Sequence, residues 1–97
     1  KYILNYEIYT SKEDRALIFD GTVHRVEISG TVLFTLKDKK TGTEIISDTE
    51  QLYLSYSNSG STAAILNAKK TTNTKLISLL AEKVANRIDL TFIEKNL

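Results

Sequence analysis

The sequence predicts an α+β fold: an antiparallel β-meander of three strands packed on one face by a long C-terminal α-helix, a two-layer sandwich. Three observations predict it. The first two-thirds of the chain is dense in β-branched and aromatic residues that alternate with polar ones, as half-buried strands do. Two turn signals, Asp20-Gly21 and "KDKKTG" (37–42), divide that region into three. The last third carries apolar residues at helical spacing behind a serine and a threonine able to cap a helix.

The first strand, about residues 2–19, opens on "YILNYEIYT" with Tyr2, Leu4, Tyr6 and Ile8 on one alternating face. "SKEDR" (11–15) interrupts the apolar pattern as a candidate bulge, and "ALIF" resumes it. Asp20-Gly21 suits a two-residue type I′ turn, because both central residues need positive φ. The second strand, about 22–37, puts Val26, Ile28, Val32, Phe34 and Leu36 on an inward face, with Arg25, Glu27, Ser29, Thr31 and Thr35 outward. Gly30 leaves a gap on the inward side, where a helix can approach closely. The third strand, about 43–56, is less regular. Leu52, Leu54 and Tyr56 share their parity with Asp48 and Glu50, whose carboxylates should not be buried. Either the helix stops short of that end of the sheet, or a bulge shifts the register.

Ser61 or Thr62 caps a helix of about 62–90, roughly 43 Å long at ~1.5 Å per residue. At 100° per residue, Ile65, Leu66, Leu76, Ile77, Leu80, Val84 and Ile88 fall in one broad arc that can lie on the inward face of the meander. The middle of this helix, "NAKKTTNTK" (67–75), is polar even along that arc, at Lys69, Thr72 and Asn73. Its threonines and asparagines weaken a helix by about a few tenths of a kcal/mol each. We expect one helix with a weak, wet middle. The alternative starts the helix near Thr72 and makes 63–70 a separate turn.

Ninety-seven residues, 41% apolar and 26% charged, suit one soluble domain spanning 1–97. A net charge of +1 gives no general attraction to nucleic acid, and base-stacking aromatics are not interleaved with the lysines, so no nucleic-acid partner is expected. The absence of cysteine excludes disulfides and thiolate chemistry, and no apolar run reaches the ~20 residues of a membrane span. His24 is the single histidine, so no multi-histidine metal site or conventional triad can be assembled; a structural or solvent-exposed role is expected for it. Glu13/Asp14 and Asp48/Glu50 read as solvated edges rather than acid–base pairs, and the four glycines stand too far apart for a phosphate cradle. No catalytic residue, metal or cofactor is expected.

The outward sheet face has no evident cover. Ile3, Tyr9, Leu33, Ile45 and Tyr53 share its parity and form the candidate partner-binding patch. Lys37, Lys39 and Lys40 cluster in one turn and Lys69, Lys70 and Lys75 lie on the helix, groups that suit a lipid phosphate better than a duplex.

The order of these signals resembles the lipopolysaccharide-assembly lipoprotein LptE family. The likeness is carried by a strand ending in a turn-forming glycine, then the long strand "VEISGTVLFTLKD" and a "TG" hairpin. A strand with aromatic residues and an amphipathic helix reaching "ANRI" (85–88) follow, so that residues 2–92 are covered. The resemblance implies a sheet covered on one side by two helices, held at the periplasmic face of the outer membrane of a Gram-negative bacterium. It implies a plug within the LptD β-barrel that assists barrel assembly and lipopolysaccharide delivery to the cell surface. The expected partners are therefore an LptD-type barrel and lipopolysaccharide, with Arg25, Lys37, Lys39 and Lys40 as lipopolysaccharide-contact candidates chosen from surface geometry. The family begins with a lipidated cysteine, a strand and a helix that these residues do not include. The chain is thus expected to be either a fragment, attached to the membrane only through an anchor it lacks, or a distant relative that never had these parts. As a fragment it has a sheet edge open to pairing with another copy. The rival reading is a generic envelope interaction or scaffold module that binds no lipid.

Overall fold

Strands β1 (Tyr2–Phe19), β2 (Val23–Asp38) and β3 (Glu44–Ser57) form one antiparallel sheet in the order β1-β2-β3, and helix α1 (Thr62–Lys95) follows. This computed structural model describes residues 1–19, 23–58 and 60–95, without the side chains of 13–19, 23 and 24. The Asp20-Gly21 turn and the His24 side chain lie outside those residues.

The first hairpin pairs without a break from Tyr2↔Asp38 to Arg15↔Arg25. "SKEDR" is therefore regular strand and not a bulge; the register shift falls between Arg15 and Phe19. The second hairpin runs unbroken from Arg25↔Ser57 to Leu36↔Ile46, but Lys37 then faces Glu44. Ile45 is the extra residue of a bulge at that end. The turn between β2 and β3 closes as its sequence predicts. The Asp38 carbonyl accepts the Gly42 N–H at 2.9 Å, Asp38 Oδ1 accepts the Lys40 N–H at 2.8 Å, and Gly42 takes φ +72°, which favours glycine.

Helix α1 is capped by Ser61, whose Oγ accepts the Ala64 N–H at 3.1 Å. It runs unbroken through 67–75 and on to Lys95, past the expected end near residue 90. Its 34 residues span roughly 51 Å. The core is the inward face of β2 (Val26, Ile28, Val32, Phe34, Leu36) closed by Ile46 and Tyr56 of β3 and by Leu76, Leu80 and Val84 of α1. Phe34, Leu76 and Leu80 are the largest fully buried side chains, each stabilising the fold by about 1.5–3 kcal/mol through transfer from water.

The helix seam is narrower than the arc the sequence suggests. Leu66 and Ile77 are 61% and 46% exposed, while Ile65, Ala68, Ile88 and Phe92 flank the core as half-buried residues. Among the described residues, α1 lies over β2 and β3 and its backbone keeps clear of β1. Asp48 fits neither explanation offered by the sequence. It keeps its register opposite Phe34, on the helix side, and its Oδ2 accepts from Arg87 Nε at 3.1 Å. The helix thus reaches this end of the sheet and brings the cation that holds the carboxylate at the margin. The molecule is a slab 57 Å long and 22 by 16 Å across. Its radius of gyration, 17.8 Å, exceeds the roughly 12.5 Å of a compact domain of this length.

Candidate interaction surfaces

The sheet face opposite α1 carries no element of the described chain, and its central rows are polar. Ser11 and Ser29 share a hydrogen bond of 2.6 Å across β1 and β2. Thr35 and Ser47 meet at 3.2 Å, Gln51 Nε2 donates to Thr31 Oγ1 at 3.3 Å, and Arg25 donates to Ser55 Oγ at 3.0 and 3.1 Å. Within this field Ile3, Tyr9, Leu33 and Tyr53 stand 43%, 56%, 43% and 56% exposed. Ile45, at the bulge, is half-buried. These residues share a face without forming one contiguous patch. Leu33 sits between Glu7 and Thr49, and Ile3 and Tyr53 lie opposite Lys37 and Ser29, roughly 26 Å apart along β2. Around Leu33 the face sinks into an open depression of about 650 Å³ walled by Asn5, Glu7, Thr35, Ser47 and Thr49. The Tyr9 hydroxyl donates to Glu7 Oε2, and that carboxylate raises the phenol above its ordinary range.

The basic candidates divide between the two ends of the sheet. Lys37, Lys39 and Lys40 are exposed together at the β2–β3 turn. Arg25 lies at the other end of β2, roughly 40 Å away, held by Ser55. One ligand headgroup cannot span both.

A third surface escaped sequence reasoning. Because α1 covers β2 and β3 only, the helix-side stripe of β1 stays open: Tyr2, Leu4, Tyr6 and Ile8 are 50%, 42%, 63% and 40% exposed. A groove of about 270 Å³ runs between this stripe and α1, floored by Val32 and Leu80 and walled by Leu4, Tyr6, Ile8, Ile77, Ala81 and Val84. The signal was in the sequence as arithmetic. One helix is about 10 Å across and strands are spaced by about 4.8 Å, so a single helix roofs two strands and not three.

No family model matches the chain, and no curated protein matches it. Among solved structures, it is similar to the crystal structure of a "putative lipoprotein" from Caulobacter crescentus CB15. The two share 21% identity at a TM-score of 0.61, over 94% of this chain and 68% of that one. At that identity the likeness shows a common fold.

Proposed function

We propose that this chain is a non-catalytic accessory of lipopolysaccharide assembly at the periplasmic face of a Gram-negative outer membrane. In this reading it binds and plugs an LptD-type β-barrel and aids lipopolysaccharide transport to the cell surface. The observation that carries the proposal is the unroofed sheet face, where Tyr9, Leu33 and Tyr53 stand out from a hydroxyl-rich field. A surface of exposed tyrosines and aliphatics among small polar groups suits an adaptable, partly wet interface. A fold shared with a protein described as a lipoprotein, and the sequence resemblance to the LptE family, support the same reading. Lys37, Lys39 and Lys40 at one end of that sheet supply charge-assisted contacts to lipopolysaccharide phosphates. Arg25, bonded to Ser55 at the far end, serves a second contact.

Co-purification of the chain with a coexpressed LptD-type barrel tests the proposal. Wild type should be retained and Leu33→Asp or Tyr53→Asp lost, with unchanged circular dichroism. Lipopolysaccharide binding should weaken with salt and with Lys37→Glu/Lys40→Glu. A chain that binds the barrel but no lipopolysaccharide is a scaffold module, and one that binds neither is outside this family's role.

A further inference from the structure

We propose that the groove between β1 and α1 binds the hydrocarbon chain of a single-chain anionic amphiphile, of the fatty-acid type, with its headgroup at Lys12 and Lys69. The proposal uses the side of the sheet opposite the barrel-docking face and does not depend on that reading.

The helix and the edge strand line up along the whole groove. Phe92 meets Tyr2, their rings edge-on with centroids 5.2 Å apart. From there Val84, Ala81 and Ile77 of α1 face Leu4, Tyr6 and Ile8 of β1 across an apolar trough. One helical turn further toward the N-terminus of α1 the lining changes character. Lys69 and Asn73 then share a polar depression of about 170 Å³ with Thr10, Ser11, Lys12 and Ile28. The aromatic pair stops one end, and two cations, one on each wall, stand at the other. Among the described residues neither Lys12 nor Lys69 has an ion-pair partner.

This polarity selects the ligand. An apolar trough with a cationic mouth is complementary to a chain bearing an anionic head. The distance from Leu4 to Ile8 along β1 is roughly 13 Å, close to the ~15 Å that one acyl chain spans in half a bilayer core. A volume of about 270 Å³ falls just under the 300–1,000 Å³ of drug-sized sites, room for one chain and not for several. An α-helix, ~10 Å across, would rest on the rim rather than enter. The polar middle of α1 gains a role by this account: Lys69 and Asn73 occupy the turn at which the headgroup leaves the trough.

The test is calorimetric titration of the full chain with dodecanoate, dodecanol and dodecyltrimethylammonium, each below its micelle concentration. Dodecanoate should bind one-to-one and most tightly, with decanoate weaker by roughly fourfold per methylene removed. Lys12→Glu/Lys69→Glu should weaken dodecanoate by roughly tenfold and leave dodecanol unchanged. Ala81→Trp, at an exposed helix position, should fill the trough and abolish binding of all three. Amide shift mapping on the unmodified chain needs no variant and should place dodecanoate against 4–12 and 69–84. Equal affinity for all three headgroups would overturn the proposal, as would shifts confined to the opposite sheet face. So would a dimer that Ala81→Trp dissociates, which would assign the groove to a second copy. None of these outcomes bears on barrel retention, which Leu33→Asp tests separately.

Discussion

Gly30 lies directly beneath Leu80: a Cβ placed on the glycine would stand 2.6 Å from Leu80 Cδ1 and 3.1 Å from Leu76 Cδ2. Both leucines are fully buried: Leu76 is enclosed by the core, and Leu80, which floors the groove beside β1, can yield only by turning into that groove. Gly30→Ala should therefore lose stability in spite of alanine's backbone advantage in a strand. Overpacking costs about 1–3 kcal/mol, and the backbone gain offsets about 0.5–1 of it. Urea denaturation should give a net loss of up to about 2.5 kcal/mol with an unchanged m-value. A stabilised Gly30→Ala variant would show that α1 stands further from β2 than this contact allows.

The two sheet faces should answer mutation differently. Leu80→Ala, under the helix, should cost about 2–5 kcal/mol through lost transfer energy and a residual cavity. Leu33→Asp, on the open face between Glu7 and Thr49, should cost less, about 1 kcal/mol, through the poor strand propensity of aspartate and its repulsion by Glu7. Thermal unfolding of both variants in one buffer checks the contrast. A large loss for Leu33→Asp would mean that its face is covered in solution.

The elements, their order and the contact at Gly30 were legible because each has a local cause. Alternation along 26–36, glycine at positive φ in a turn and a serine three residues before a helix N–H depend on neighbours in sequence. What escaped was set by distance between elements. Ile77 sits at helical spacing beside Leu76 and Leu80, yet it is 46% exposed because the helix axis lies over β2 and β3 and no second helix of the described chain fills its flank. For the same reason Tyr2, Leu4, Tyr6 and Ile8 keep an inward parity and remain open. Asp48 misled for a different reason: its partner, Arg87, is on another element. Arg25 and the lysines at 37–40 read as one basic set, but a strand separates them by its own length.

The polar middle of α1 should be improvable without loss of fold. Thr71 and Thr74 are exposed, and Thr74 Oγ1 donates to the Lys70 carbonyl at 3.0 Å, a back-bond that adds little to a helix. Thr71→Ala/Thr74→Ala should raise stability by about 0.5–1 kcal/mol through helix propensity. Amide exchange over 68–76 should slow in parallel. Exchange there that is already as slow as at Leu80 in the wild type would show that this turn is not weak.

Acid should weaken the fold partly through Asp48. The Thr49 backbone N–H, at 2.8 Å from Oδ1, and then Arg87 hold its carboxyl below the ordinary carboxylate range. A group whose folded pKa is depressed contributes stability that is fully present above the unfolded value, near ~3.9, and is lost as pH falls through the folded value. Asp48→Asn should therefore lower stability at neutral pH and flatten part of the decline below about pH 4. Since the Thr49 amide is the larger cause, Arg87→Met should leave most of the depression in place, although it removes the ion pair. Carboxyl carbon shifts of Asp48 followed from neutral pH to pH 2 distinguish the two contributions. A carboxyl that titrates at its ordinary value in Arg87→Met would make Arg87, and not the local amide, the group that holds it.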